Sequence, residues 1–504
     1  MIPARQGLRR AGLLLLTLVW GAVACEAGPS VFDDAPEPAE DAALEVPDTG
    51  ALVVEPPRAP AVEEGDSDVD PSRDRLPPPP GEVSAARGGE AMDRSASGDL
   101  APDSSQSPLP DSVELRFERP EHVRGLYLNA WASGSTRRVD ALLELAAETE
   151  INTFVLDIKD ATGYLSHRSD VPLAQEIGAN DERRIRDLRG LLEKLHAADI
   201  YPVARIVIVK DPLLAAAHPE RAVQDTAGGP WVDGKGTIWL NPYDTAVWDY
   251  HVDIAREVVG MGFPEIQWDY VRFPDAPKSQ LARAHFPGAE GRTRAQAIRE
   301  LLAYTRQELG DGVEITADVF GVTTSASADV GIGQVWEEFI DVVDVALPMV
   351  YPSHYWRGSF GLDVPNAYPY EVVKAALDDA VRRSGEVEGA GGTRPWLQDF
   401  TLGEPTYGAP EVRAQIQATY DAGLTEWILW NPGSRYTPDA LQPAGGWTRE
   451  PRIRVADQVV PVSTRWEALE AAVAEEETQS EADSDRSAAD AESNDPPGRE
   501  PGSP

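Results

Sequence analysis

Cysteine is almost missing from this sequence. Cys25 is the only one in 504 residues, so no intramolecular disulfide can brace the fold. Basic residues are outnumbered nearly two to one by acidic ones, the formal charge is −40, and no basic stripe runs along the chain. A nucleic-acid partner needs such a stripe to release phosphate counterions, and none is expected here. The seven histidines are scattered, with neither HxH nor HxxxH spacing, which argues against metal-dependent hydrolysis; no metal and no cofactor are expected. A serine hydrolase would want a GxSxG elbow, and Gly134-Ser135 does not supply one.

The first 24 residues read as a signal peptide. Arg5, Arg9 and Arg10 precede an apolar run from Ala11 to Ala24 that is too short to span a bilayer comfortably. Ala22-Val23-Ala24-Cys25 is similar to a lipoprotein cleavage box, with Ala22 where Leu is usual, so lipidation of Cys25 and ordinary cleavage near Ala24 both stay open. Lipidation makes the chain an exported, membrane-anchored protein of the cell envelope, several acyl groups together anchoring stably; ordinary cleavage makes it secreted or periplasmic. Residues 25–112 are rich in Pro, Ala, Asp, Glu, Ser and Gly and nearly free of aromatics, too poor in apolar surface to offset chain entropy, and read as a disordered tether. The same composition returns over 475–504, a second disordered tail.

Between these ends, apolar strand-like runs alternate with helix-period segments, the pattern of repeated βα units on a parallel sheet. Eight such runs occur: VRGLYLNAWA from Val123, TFVLDIKD from Thr153, YPVARIVIV from Tyr201, EIQWDYVRFP from Glu265, EITADVFGVT from Glu314, VDVALPMVYP from Val343, RPWLQDFTL from Arg394 and EWILWNP from Glu426. Helices fit the gaps. Leu142, Leu145 and Ala146 share a face of the first, with Ser135 as its cap; Ile185, Leu188, Leu191, Leu192 and Leu195 share a face of the second. Others span about 245–259, 293–309, 370–383 and 410–422, with a short one near 336–340. Eight alternations predict closure into a single (β/α)8 TIM barrel of the α/β class over 113–450, with 451–474 flanking it. An open doubly wound sheet is the alternative, but no run is followed by a GxGxxG fingerprint.

Barrels of this kind build their sites at the carboxyl ends of the strands, which focuses attention on the polar residues there. Strand one offers Asn129 and Trp131, strand two Asp157, Lys159 and Asp160, strand three Lys210 and Asp211, and strand four Trp268, Asp269, Tyr270 and Arg272. Strand five offers Asp318, strand six Tyr351 and His354, strand seven Gln398 and Asp399, and strand eight Trp430 and Asn431. Alternation along a strand puts Gln267 and Val271 on the side of Asp269, and Asp157 on the side of Lys159. Asp157 is either functional or a buried ion pair with Lys159 or Arg205. Paired carboxyl groups cleave glycosidic bonds, one protonating the leaving oxygen and the other meeting the positive charge at the sugar. Trp131, Trp231, Trp239, Trp268, Tyr351, Trp356, Trp396 and Trp430 would offer flat faces to pyranose rings.

With QWDYVRFPD at its centre, LDIKD before it and TADVFG, LPMVYPSHYW and WLQDF after it, the sequence resembles a bacterial family catalogued as a glycosyl hydrolase domain of unknown function, collinearly from about Val123 to Pro432. The resemblance implies a (β/α)8 barrel distantly related to α-amylase-like and α-galactosidase-like glycosidases. It also implies a nucleophilic aspartate at the end of strand four, the position of Asp269, which the strand-end reading ranks first as well. In such relatives the acid/base partner stands at the end of strand five or six. Strand six ends Met349-Val350-Tyr351-Pro352 without a carboxylate, which leaves Asp318 first, Asp399 second and Glu404 third. Arg272 either holds the ionised Asp269 or pairs with Asp275. The expected function is hydrolysis of a glycosidic bond in an envelope or extracellular polysaccharide; the alternative is a non-catalytic sugar-binding or scaffold barrel, since strand six lacks its acid.

Overall fold

The structure, a computed structural model, describes residues 115–474 apart from 456, 457, 466, 469, 470 and 473. The expected signal peptide, Cys25, the tether and the acidic tail lie outside the described residues.

Eight parallel strands form the centre: β1 Arg124–Leu128, β2 Thr153–Lys159, β3 Tyr201–Val207, β4 Glu265–Asp269, β5 Glu314–Phe320, β6 Val345–Met349, β7 Trp396–Gln398 and β8 Trp427–Trp430. Each pairs with its successor, and β8 pairs with β1, so the sheet closes into a barrel and leaves no open edge. The seventh strand is broken. Gly392–Thr393 pairs with the start of β6, Arg394-Pro395 interrupts, and Trp396 rejoins at Met349. Pro395 has no N–H to give a ladder, which suits the break.

Helices cover the outside where the apolar spacing predicts them. α1 Thr136–Glu148 is capped by Ser135, α2 Leu188–Ala197 by Asp187, α3 Thr245–Met261 by Asp244 and α4 Arg294–Leu309 by Thr293, each cap oxygen accepting a first-turn N–H. α5 Trp336–Phe339, α6 Pro369–Ser384 and α7 Ala409–Asp421 complete the ring. Gly262 ends α3 at φ 117°, a conformation a side chain would strain, and Leu115 lies against it. Beyond the barrel, β9 Arg452–Val455 and β10 Gln458–Pro461 form an antiparallel pair.

Strand alternation fills the interior in layers. The middle is apolar, with Val155, Val203, Leu347, Trp396 and Ile428 in one cluster, distinct from the larger shell between strands and helices. At the amino end of the strands, Arg394 reaches three glutamates: Glu265 at 2.7 Å, Glu314 at 3.0 Å and Glu426 at 2.9 Å. Arg119, ahead of β1, closes this end by bonding Glu314 at 2.6 Å and Glu426 at 2.9 Å. Phe117 packs edge-on to His196 beside it.

Two expectations from alternation fail, each for a local reason. A bulge between Asp157 and Lys159 shifts the register, so Asp157 faces Arg205 while Lys159 pairs opposite Ile206 and leaves the lumen. Tyr270 takes φ 54°, ending β4 at Asp269, and Val271 joins the outer shell instead of the interior.

Candidate active site

The upper layer gathers three aspartates around one arginine. Arg205, inward on β3, donates through Nη1 to Asp157 Oδ1 on β2 and through Nη2 to Asp269 Oδ2 on β4. Its Nε lies 3.0 Å from Asp269 Oδ2 and 3.7 Å from Asp318 Oδ2 on β5, so Asp269 and Asp318 face each other across one nitrogen. The backbone N–H of Tyr270 donates to the other oxygen of Asp269 at 2.5 Å. Gln267, one layer below, donates to both oxygens of Asp318 at 2.9 and 3.1 Å, and the indole N–H of Trp396 donates to Oδ1 at 2.7 Å. Tyr127 on β1 donates its hydroxyl to Asp157 at 2.5 Å.

Aromatic rings wall this layer. Tyr127 stacks on Trp430 with centroids 3.9 Å apart, Trp396 stands edge-on to Trp430 at 5.4 Å, and the Arg205 guanidinium lies over Tyr127 and Trp430 at 5.5 and 5.3 Å. Asp269, Asp318, Met349, Tyr351, Trp396 and Trp430 line a tight, almost filled cleft at the barrel mouth. Asp269 is 5 % exposed and Asp318 1 %, so water hardly reaches either.

That dryness sets the proton affinities. Burial and then the charge of Asp269 push Asp318 well above the ordinary carboxylate range, against Arg205 and the donors on it. Burial also raises Asp157 to about 6, with Arg205 opposing. Burial works against the charge on Arg205, but Asp157 and Asp269 together hold it firmly protonated.

Among the residues singled out from the sequence, the fold brings Asp269, Asp318, Tyr351 and Trp430 to the cleft, with Asp157 directly behind Arg205. Others are used elsewhere. Lys159 is fully buried, 3.0 Å from Asp211 and 2.8 Å from the carbonyl of Val207, and so does not meet a substrate. Trp268 is fully buried in the outer shell, because the neighbour of an inward Asp269 must point outward. Arg272 pairs with Asp275 at 2.8 Å and packs against Trp239, Tyr270 and Phe320; Asp269 takes Arg205 instead. Tyr270 also carries Lys210 over its ring at 4.8 Å.

Asn129 caps the turn Ala130–Ser133 and donates to the carbonyl of Pro432. Gln398 is fully buried, holding Ser353 and the carbonyl of Phe400. Asn431 donates to the carbonyl of Asp399 and accepts from Gly433. Both oxygens of Asp399 accept from Thr437, at 2.8 and 2.7 Å, which ties down the loop after β8; burial raises this carboxyl to about 6. Trp131 stands 69 % exposed at the rim, with Arg184 over its ring.

A family described as "Putative glycosyl hydrolase domain" matches residues 125–436. No curated protein matches the chain. Among solved structures, a hypothetical protein from Ruminiclostridium thermocellum is 39% identical over 38% of this chain and 97% of its own, with a TM-score of 0.36. The PgaB (BpsB) glycoside hydrolase domain from Bordetella bronchiseptica is 12% identical, over 62% of this chain and 95% of its own, TM-score 0.44. The α-galactosidase TtGalA from Thermus thermophilus is 16% identical, over 70% of this chain and 68% of its own, TM-score 0.36.

Proposed function

The chain belongs to the family described as "Putative glycosyl hydrolase domain", and on that footing we propose that it hydrolyses a glycosidic bond of a polysaccharide, with Asp269 as nucleophile and Asp318 as general acid/base. The observation that carries this reading is the pair of carboxyl groups on either side of Arg205 in a cleft walled by Tyr351, Trp396 and Trp430. Their roles follow from their surroundings. Arg205 supplies the counter-charge of an ionised Asp269, and Tyr270 N–H fixes the other oxygen, so the group is aimed and does not need to shed water before it attacks. Asp318, whose proton affinity burial and Asp269 raise well above that of an ordinary carboxylate, is the group suited to hand a proton to the departing oxygen. Having lost it, Asp318 takes a proton from the water that releases the sugar from Asp269. Both groups approach one nitrogen, at 3.0 and 3.7 Å, which is in keeping with a covalent route.

One observation favours the scaffold reading. Asp269 Oδ2 already holds two guanidinium nitrogens, and Asp318 is almost without exposure. A barrel with such a network and no turnover would bind sugar and release it unchanged. Product release from a panel of bacterial and plant polysaccharides, followed by mass spectrometry with wild type, Asp269→Asn and Asp318→Asn, separates the two. New oligosaccharides from wild type alone establish hydrolysis, and binding without products establishes the scaffold.

Export and anchoring through Cys25 are part of the same proposal, resting on the sequence of residues 1–25. Labelled palmitate incorporated by the wild type and not by Cys25→Ala is the expected result; equal labelling of both would remove the anchor.

A further inference from the structure

A groove of about 540 Å³ runs along the rim of the mouth, between the loop after β6 and the loop after β7. Leu362, Asp363, Val364 and Tyr368 form one wall, and Glu404 and Pro405 the other. Tyr368 and Val364 are about half exposed, at 45 % and 51 %, which an isolated rim would not need. The groove is preformed. Asn366, 9 % exposed, donates through Nδ2 to the carbonyls of Leu402 at 3.0 Å and Glu404 at 2.9 Å, and Tyr407 donates its hydroxyl to the carbonyl of Asn366 at 3.0 Å, clamping the two loops at a fixed spacing.

The groove's two walls spring from strands that also line the cleft. The two loops leave the strands that supply Met349, Tyr351 and Trp396 to it. Ser353 donates to Gln398 Oε1 across the loop bases at 2.8 Å, the turn Pro352–His354 packs on the turn Pro365–Ala367, and Phe400 lies edge-on to Tyr351 at 5.8 Å.

We propose that this groove is a second sugar-binding site, holding further uncharged pyranose units of the polymer whose scissile linkage sits at Asp269 and Asp318. The proposal rests on the glycosidase reading for the linkage and on the groove's own chemistry for the binding. A half-exposed tyrosine ring offers a flat face to a sugar ring. The carboxylates of Asp363 and Glu404 accept hydrogen bonds from hydroxyls, whereas they repel a uronate; only Asp363 has a nearby counter-charge, Arg357 at 3.0 Å. An uncharged polysaccharide is thus the substrate class that fits.

Affinity electrophoresis tests this, using Asp269→Asn protein so that the polymer is not consumed, in gels containing galactomannan, xyloglucan, dextran or alginate. At least one of the three uncharged polymers should retard the protein, and alginate, a polyuronate, should not. Adding Tyr368→Ala should weaken retardation by roughly tenfold, and Tyr368→Phe, which keeps the ring, should preserve it. Tyr368 makes no side-chain cap on α6, so the Ala variant should melt with its parent. No retardation by any uncharged polymer, equal retardation by alginate, or an unchanged Tyr368→Ala would overturn the proposal. Failure of the glycosidase reading looks different: wild type would release no product from a polymer that retards it, while Tyr368→Ala still loses the binding.

Discussion

The two ends of the barrel each hold an arginine among carboxylates, yet the two clusters are balanced differently. At the amino end, Arg394 and Arg119 meet Glu265, Glu314 and Glu426, and each nitrogen position of Arg394 is used. At the carboxyl end, Arg205 alone serves Asp157, Asp269 and Asp318, and aromatic rings wall a tight cleft beside them. The lower cluster resembles a seal, in which two arginines are shared among three glutamates. The upper one has a single arginine for three buried carboxyl groups, and burial together with the charge of Asp269 raises the proton affinity of Asp318. In barrels the amino end carries stability and the carboxyl end chemistry; here the first holds glutamates with two arginines and the second aspartates with one.

Substitutions at the two ends should therefore fail in opposite ways. The largest effect is expected at the mouth. Asp269→Asn lowers turnover by about 10⁴-fold and Asp318→Asn by roughly 10²- to 10⁴-fold, read as product released per folded molecule. Asp318→Asn should also melt at a higher temperature than wild type, because it removes a carboxyl that burial and Asp269 make costly. Arg394→Met should do the reverse. It strands Glu265, and a loss of about 3–5 kcal/mol is expected in urea unfolding, with turnover per folded molecule unchanged. An Arg394→Met protein that lost turnover per folded molecule and kept its stability would erase the distinction between the ends.

A smaller effect sharpens it. Burial pushes Glu265 from an ordinary 4.5 up to about 7, with Arg394 opposing. Between those pH values the folded protein holds a proton that the unfolded chain has released, so stability falls as pH rises through this window. The slope is at most about 1.4 kcal/mol per pH unit for one proton, and Glu265→Gln should flatten it. Identical slopes in the two proteins would place the titrating group elsewhere. Smallest of all is Trp396→Phe, which keeps a ring and removes the N–H on Asp318. That bond favours the ionised form, so its loss should move the alkaline limb of the pH–activity profile upward, with neutral turnover changed only about two- to fivefold. Movement downward would contradict Asp318 as the acid.

Most of the scaffold was legible in the sequence because a period repeated eight times leaves little choice of closure, and every apolar run became a strand. The inward placing of Asp269 and Asp318 was legible too, since alternation sends both toward the barrel interior, Asp269 at the end of its strand and Asp318 two residues before the end of its own. Trp268 could have been set aside by that same alternation, given Asp269. Lys159 could not, because one bulge reverses its side and nothing in IKD announces it. Arg205 is the larger omission. Read only as a partner for Asp157, it also binds Asp269, a contact made by strands 60 residues apart that became neighbours; its parity with Tyr201 and Val203 was the available signal. The loop roles of Asn129, Gln398 and Asn431 depend on turns that periodicity does not describe.

Arg119 does more than complete a charge cluster. Because residues 115–119 join the barrel at the end opposite the mouth, the described chain arrives from behind the catalytic face. On the proposed reading, a polymer reaching from the aspartates to the groove beside Tyr368 would not cross residues 115–119.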